Sequence, residues 1–215
     1  MLCDVGQAGV GQLLPQLRIL VQADHRIGEA RRNGQDSAAL EAEVTAKRAE
    51  MDALEQRVAH LDKSIHETLA AILEKQLAAG VSGFVPLGST GEYYALTNDE
   101  RRQILATVKE VVGNRGTLIA GANGSCTREV LEQIKQTVDA GYTNLLIAPP
   151  YYALPSQEEL LAHYNTILAT FPQLNVVLYN YPIRTNVEVG MDVVAALNDH
   201  PRVIAIKESS GNLLR

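Results

Sequence analysis

Apolar positions change their period near residue 62, and the change divides the chain into two unlike parts, 1–61 and 62–215. Over residues 37–65, Leu40, Val44, Met51, Leu54, Val58, Leu61 and Ile65 fall on alternating steps of three and four, with Lys47 in the one broken place. Glu41, Glu43, Arg48, Glu50, Asp52 and Glu55 fill positions between them. This spacing predicts a helix with a coiled-coil-like seam over about four heptads, and fits equally an amphipathic helix lying on its own domain. Residues 1–36 are irregular, punctuated by Gly6, Gly9, Gly11, Pro15, Gly28 and Gly34. The first three glycines have neither a preceding strand nor the spacing of a nucleotide loop.

From about residue 66, short β-rich runs alternate with amphipathic stretches. Helices are predicted over 67–79, 97–112, from 127 to Gly141, over 156–170 and over 191–198. Thr97-Asn-Asp-Glu100 and Ser156-Gln-Glu-Glu159 are capping boxes that open two of them. Strands are predicted over 83–87, 117–120, 144–148, 175–179 and 202–206, the last running onto Lys207. Strand–helix alternation at this period implies an α/β protein with parallel strands and right-handed crossovers. Continuous apolar runs such as Val203-Ile-Ala-Ile206 suit strands buried on both faces. A doubly wound sheet and a (β/α)₈ barrel both satisfy the pattern.

Composition narrows the functional classes. A hydrophobic content of 46%, a charged content of 20% and a net charge of −6 describe an ordinary globular chain without the basic excess of a nucleic-acid binder. Cys3 and Cys126 are far apart and outside any metal-ligand spacing, so they read as free thiols of a reducing compartment. Without a basic segment ahead of an apolar run, or a run of the ~18 apolar residues a membrane span needs, the expected location is the cytoplasm.

Polar residues gather just after the strands: Gly88-Ser-Thr-Gly-Glu92, Pro149-Pro-Tyr-Tyr152, Tyr179-Asn-Tyr-Pro-Ile-Arg-Thr185 and Lys207-Glu-Ser-Ser-Gly211. In a parallel α/β protein all these points lie on one rim, where barrel active sites are built. Lys207 follows four apolar residues. A lysine desolvated at a barrel mouth has a lowered pKa, and its neutral amine attacks ketones to form a Schiff base. A lysine snorkelling to solvent at a strand end is the plainer alternative. The Gly88–Glu92 turn offers the hydroxyls of Ser89 and Thr90 and backbone N–H groups, including that of Gly91, to a carboxylate; it also reads as a plain turn with a helix cap. Tyr179 is placed to relay protons or to be a buried tyrosine with a satisfied hydroxyl. Arg184 is placed to fork onto a second carboxylate or to form a surface ion pair.

Residues from about Ile65 to Arg215 resemble the dihydrodipicolinate synthase / N-acetylneuraminate lyase family. The matching motifs are Gly88-Ser-Thr-Gly-Glu-Tyr-Tyr-Ala-Leu-Thr97 with Glu100-Arg101, Pro150-Tyr-Tyr152, Tyr179-Asn-Tyr-Pro182 with Arg184-Thr185, and Ile206-Lys-Glu-Ser-Ser-Gly-Asn212. The resemblance implies a (β/α)₈ barrel, usually a homo-oligomer, acting on pyruvate or another 2-keto acid with an aldehyde co-substrate. It implies catalytic roles for Lys207 as the imine-forming amine, Tyr179 as the proton shuttle, Thr90 in the proton relay, and Tyr152 as a residue reaching a neighbouring subunit's site. Ser89, Thr90, Gly91 and Arg184 are the implied substrate-binding residues. No metal or organic cofactor is implied, because the imine nitrogen on Lys207 serves as the electron sink.

The chain departs from that pattern in two ways. A helix stands where the family's first strand is expected, and the sequence stops a few residues after Lys207. A whole barrel takes about 250 residues, so the expectation is a partial TIM barrel with five of eight strands, a shortened form of the enzyme. Arg184 resembles the branch that condenses pyruvate with aspartate semialdehyde, 4-hydroxy-tetrahydrodipicolinate synthase. Ser89 resembles the 2-keto-3-deoxy sugar-acid and N-acetylneuraminate aldolase branches, and Asn186 stands where a glycine is usual. A non-catalytic barrel fragment acting through its coiled-coil-like helix, and a gene fragment with an unrelated first 61 residues, are the competing readings.

Overall fold

The computed structural model describes Arg26, Ile27, Glu29, Asn33 and residues 37–212, and for residues 54, 55 and 57–62 the description covers the backbone. The glycines Gly6, Gly9 and Gly11, with Cys3, lie outside the described residues. By its internal contacts the chain divides into Met1–Thr68 and Leu69–Arg215.

Helix α1, Ala38–Ala78, is continuous where two helices were predicted. Ile65-His66-Glu67 contains neither glycine nor proline, so nothing there interrupts the backbone hydrogen bonds. In the first unit Val44 is buried with Ile27, and Leu40 and Met51 pack against them. These three seam positions thus lie against a residue of their own unit, as on an amphipathic helix covering its own domain. The side chains of Leu54, Val58 and Leu61 lie outside the described residues.

The second unit contains β1 (Gly83–Phe84), α2 (Asn98–Val112), β2 (Thr117–Leu118), β3 (Ala120–Gly121), α3 (Thr127–Asp139), β4 (Asn144–Ile147), α4 (Gln157–Thr170), β5 (Asn175–Asn180), α5 (Pro182–Thr185), α6 (Met191–Asn198) and β6 (Val203–Glu208). Both capping boxes form. Thr97 Oγ1 accepts from the Glu100 N–H while Glu100 Oε2 accepts from the Thr97 N–H, and Ser156 and Glu159 repeat the arrangement. Gly80 ends α1 at φ 89°, a left-handed conformation in which a side chain would be strained.

Strand order separates the two α/β architectures. β1 pairs with β2, and β3, β4, β5 and β6 follow in chain order, all parallel. Residues 117–121 act as one strand interrupted at Ile119, because the Ile119 and Gly121 N–H groups donate to the Phe84 and Pro86 carbonyls. Five sequential parallel strands form part of a barrel wall. A doubly wound sheet would reverse its order at a switch point. The predicted first strand shortens to two residues: Pro86 has no N–H, and Leu87 turns to φ 57°. The chain then passes so close to β3 that a Cβ at Gly121 would collide with the Leu87 carbonyl oxygen.

The main core lies between the sheet and its helices. Leu145, Ile147, Val176 and Leu178 of the strands meet Ile134, Leu160, Tyr164 and Ile167 of α3 and α4. The opposite face of the sheet carries a smaller cluster, Leu146, Ala148, Val177 and Tyr179.

Candidate active site

The carboxyl ends of the strands open into a cleft of about 860 Å³ within the second unit. Ser89 and Thr90 from the turn after β1, Tyr179 from β5, Arg184 from α5 and Lys207 from β6 all line it. Residues more than a hundred positions apart meet there because parallel strands send every carboxyl end to one rim.

Tyr179 is at the centre. It is buried, and its hydroxyl lies 3.1 Å from Ser89 Oγ, within hydrogen-bond distance. Lys207 Nζ lies over its ring, 4.2 Å from the centroid, which is cation–π geometry. The placement follows from register: Tyr179 and Lys207 are partners on β5 and β6, so both side chains leave the same face of the sheet. Lys207 belongs to the strand, which runs to Glu208, rather than following it. It is also exposed, as is β6 from Ile204 onward. The desolvation expected of this lysine is not supplied by the described residues of one chain, because β6 has a strand neighbour on one side only.

The turn after β1 is a 3₁₀ turn, Ser89–Gly91. The Gly91 and Glu92 N–H groups donate within it to the Gly88 and Ser89 carbonyls. The Ser89 and Thr90 hydroxyls are therefore what the turn offers the cleft, and the Gly91 N–H is already engaged. Arg184 is exposed on α5, a single turn opened by Pro182 that the sequence pattern did not predict. The hydrogen bond that its guanidinium donates to the Tyr181 side chain raises its pKa above the ordinary guanidinium value. Tyr152 does not line the cleft. It is 92% exposed with φ 74°, a conformation costly for a bulky residue, so its loop holds the ring out into solvent.

Tyr93, Tyr151 and Arg101 were not among the expected site residues. Tyr93 and Tyr151 line the cleft and share a hydrogen bond; burial is the main cause that raises the pKa of each. Arg101 is buried near them and donates to Gln133 Oε1 at 3.0 Å; its Nε and Nη1 have no partner among the described residues. The neighbouring pairs Tyr93-Tyr94 and Tyr151-Tyr152 and the Glu100-Arg101 dipeptide were visible in the sequence. Which tyrosine of each pair turns inward was not. Among the described residues, no group of three His, Cys, Asp or Glu side chains could hold a metal ion, and no helix is long and apolar enough to cross a membrane.

Sequential parallel strands with a polar cluster at their carboxyl rim define the class: an α/β-barrel enzyme, present here as part of its wall. The chain belongs to the dihydrodipicolinate synthetase family, a family of lyases and synthases, whose pattern matches residues 56–215. The 4-hydroxy-tetrahydrodipicolinate synthase of Magnetococcus marinus is 39% identical over 150 residues, which cover 70% of this chain and 51% of that protein. A crystal structure of a dihydrodipicolinate synthase superposes with a TM-score of 0.66 at 34% identity, covering 69% of this chain and 51% of the other. The chloride-inhibited dihydrodipicolinate synthase of Acinetobacter baumannii, solved in complex with pyruvate, superposes with a TM-score of 0.65 at 33% identity, covering 68% and 50%. The chain thus spans about half the length of the relatives it matches.

Proposed function

We propose that the cleft belongs to a Schiff-base lyase that condenses pyruvate with an aldehyde, most like 4-hydroxy-tetrahydrodipicolinate synthase, with Lys207 as the reactive amine. One observation carries the reading: Lys207 Nζ, the Tyr179 ring and Ser89 Oγ form a continuous cluster at the rim. In this reading the neutral Lys207 amine adds to the pyruvate ketone. Tyr179, in contact with Ser89, passes protons so that the adduct loses water and becomes an imine. The imine nitrogen then accepts the electron pair left when a methyl proton departs, and the resulting enamine attacks the aldehyde carbon. Ser89 and Thr90 hold the keto-acid carboxylate, and Arg184 holds the carboxylate of the aldehyde substrate. No organic cofactor or metal takes part, since the imine supplies the electron sink.

The outward-held Tyr152 supports a further part of the proposal: it reaches the cleft of a second copy in a homo-oligomer. The catalytic unit is residues 62–215. A cytoplasmic setting rests on Cys126, an exposed free thiol of the kind a reducing compartment preserves.

Incubation with pyruvate followed by borohydride tests the reading. The expected product is one reduced pyruvyl group on Lys207, located by peptide mass mapping. Labelling at Lys75 or Lys135 in its place sinks the assignment.

A further inference from the structure

The pairing of β5 with β6 changes offset partway along. Val176 faces Val203, but Val177 faces Ala205, so Ile204 is an extra residue, a β-bulge. Below the bulge the partners differ by 27 in residue number, and above it by 28. Continued upward, the lower offset would set Tyr179 opposite Ile206 and Asn180 opposite Lys207. Strand side chains alternate between faces, so Ile206 would then occupy the cleft and Lys207 would turn towards the helices. The site exists only in the upper register.

Burial does not choose between these registers. β6 is exposed from Ile204 to Glu208, so its apolar residues lose little by changing faces. Beside the Lys207–Tyr179 contact of the site itself, one buried hydrogen-bonded pair is particular to the upper register. Asn180 is fully buried, its Nδ2 donates to both carboxylate oxygens of Glu208 at 3.0 and 2.9 Å, and its Oδ1 accepts from the Val189 N–H at 3.0 Å. Glu208 Oε1 in turn accepts from the Ser210 N–H at 2.7 Å. Asn180 and Glu208 are register partners immediately beyond Tyr179 and Lys207.

We propose that Asn180 is a positioning residue: clamped on Glu208, it selects the register of β6 that sets Lys207 opposite Tyr179. The inference rests on the Schiff-base reading for its catalytic meaning, but the register itself is measurable without substrate. A carboxylate at 180 still accepts from Val189 yet repels Glu208, whereas exchanging the two groups restores an amide–carboxylate pair with its polarity reversed.

Disulfide trapping in the 215-residue chain, with Cys3 and Cys126 replaced by serine, reads both registers. Leu178→Cys with Ile206→Cys reports the upper offset, and Leu178→Cys with Ala205→Cys reports the lower. Asn180→Asp is expected to move the ratio of the two disulfides by about tenfold towards the lower offset, the effect of losing one charge-assisted hydrogen bond. It is also expected to slow pyruvate–borohydride labelling of Lys207 by up to about tenfold, in step with the fall in the upper-register population. Asn180→Asp with Glu208→Gln should return the disulfide ratio to within about threefold of the parent, a rescue that loss of the Glu208 charge alone would not give. An unchanged disulfide ratio in Asn180→Asp overturns the proposal, as does failure of the double exchange to restore it. If the parent chain takes no label on Lys207 while the ratio responds as expected, the Schiff-base reading fails and the register clamp stands.

Discussion

β5 and β6 lie side by side and both are rich in apolar residues, yet β5 is buried from Val176 to Asn180 and β6 is exposed from Ile204 to Glu208. Their composition does not explain the contrast, since Val203-Ile-Ala-Ile206 is as apolar as Val176-Val-Leu178. Position explains it. β5 has strand neighbours on both sides and a helical layer over it, whereas β6 has one neighbour among the described residues. The exposure of Lys207 therefore depends on what lies beyond β6, and not on the residues around it in sequence. In a barrel enzyme the reactive lysine acquires its dry surroundings from closure of the wall.

Lys207→Arg gives the largest effect expected from this comparison: pyruvate–borohydride labelling of the chain disappears, because a guanidinium stays protonated and is no nucleophile. Labelling that persists in this variant places the reactive amine elsewhere. Next is Tyr179→Phe, the buried partner of that exposed lysine. Turnover should fall by about 10²–10⁴-fold while far-UV circular dichroism stays unchanged, the range for losing a proton shuttle.

Paired truncations address the strands directly. Leu178→Ala should cost about 2–5 kcal/mol in urea unfolding, the price of a cavity in a packed core. Its register partner Ile206, 39% exposed, should cost about 0.5 kcal/mol or less when changed to alanine. Equal costs would mean that β6 is covered in solution.

The covered face also carries a pH signature. His163 on α4 is buried; its Nδ1 lies 2.9 Å from Thr127 Oγ1, and its Nε2 has no partner among the described residues. Burial lowers its pKa from 6.5 to about 4. The folded state therefore binds this proton less readily than the unfolded state, so stability is full above about pH 6.5 and is lost as the pH falls towards 4. The loss should reach roughly 3 kcal/mol. Urea unfolding at pH 7 and pH 4.5 should show it, and His163→Gln should flatten the difference.

Much of the fold was legible from local pattern. Short β-rich apolar runs alternating with amphipathic stretches place the strands and helices, and Thr97–Glu100 and Ser156–Glu159 mark two helix starts that the structure reproduces. Motifs at four strand ends were enough to name Ser89, Thr90, Tyr179, Arg184 and Lys207, which the structure brings to one cleft. The single turn Pro182–Thr185 was missed because four residues are too few to show a helical period. The inward turn of Tyr151 was missed because adjacent tyrosines carry no local signal about which one the loop will bury.

Sequence alone determined which residue types stand at the strand ends and the strand–helix alternation that carries them to one rim, since both follow from covalent order and local period. Tertiary structure alone decided the rest: sequential strand order, the bulge at Ile204, the facing of Lys207 and Tyr179, and the bareness of β6. Each of these is a relation between two strands. The free energy that settles it comes from pairing and burial between segments distant in the chain, and a side-chain period of two cannot say which of two neighbouring registers the partner will accept.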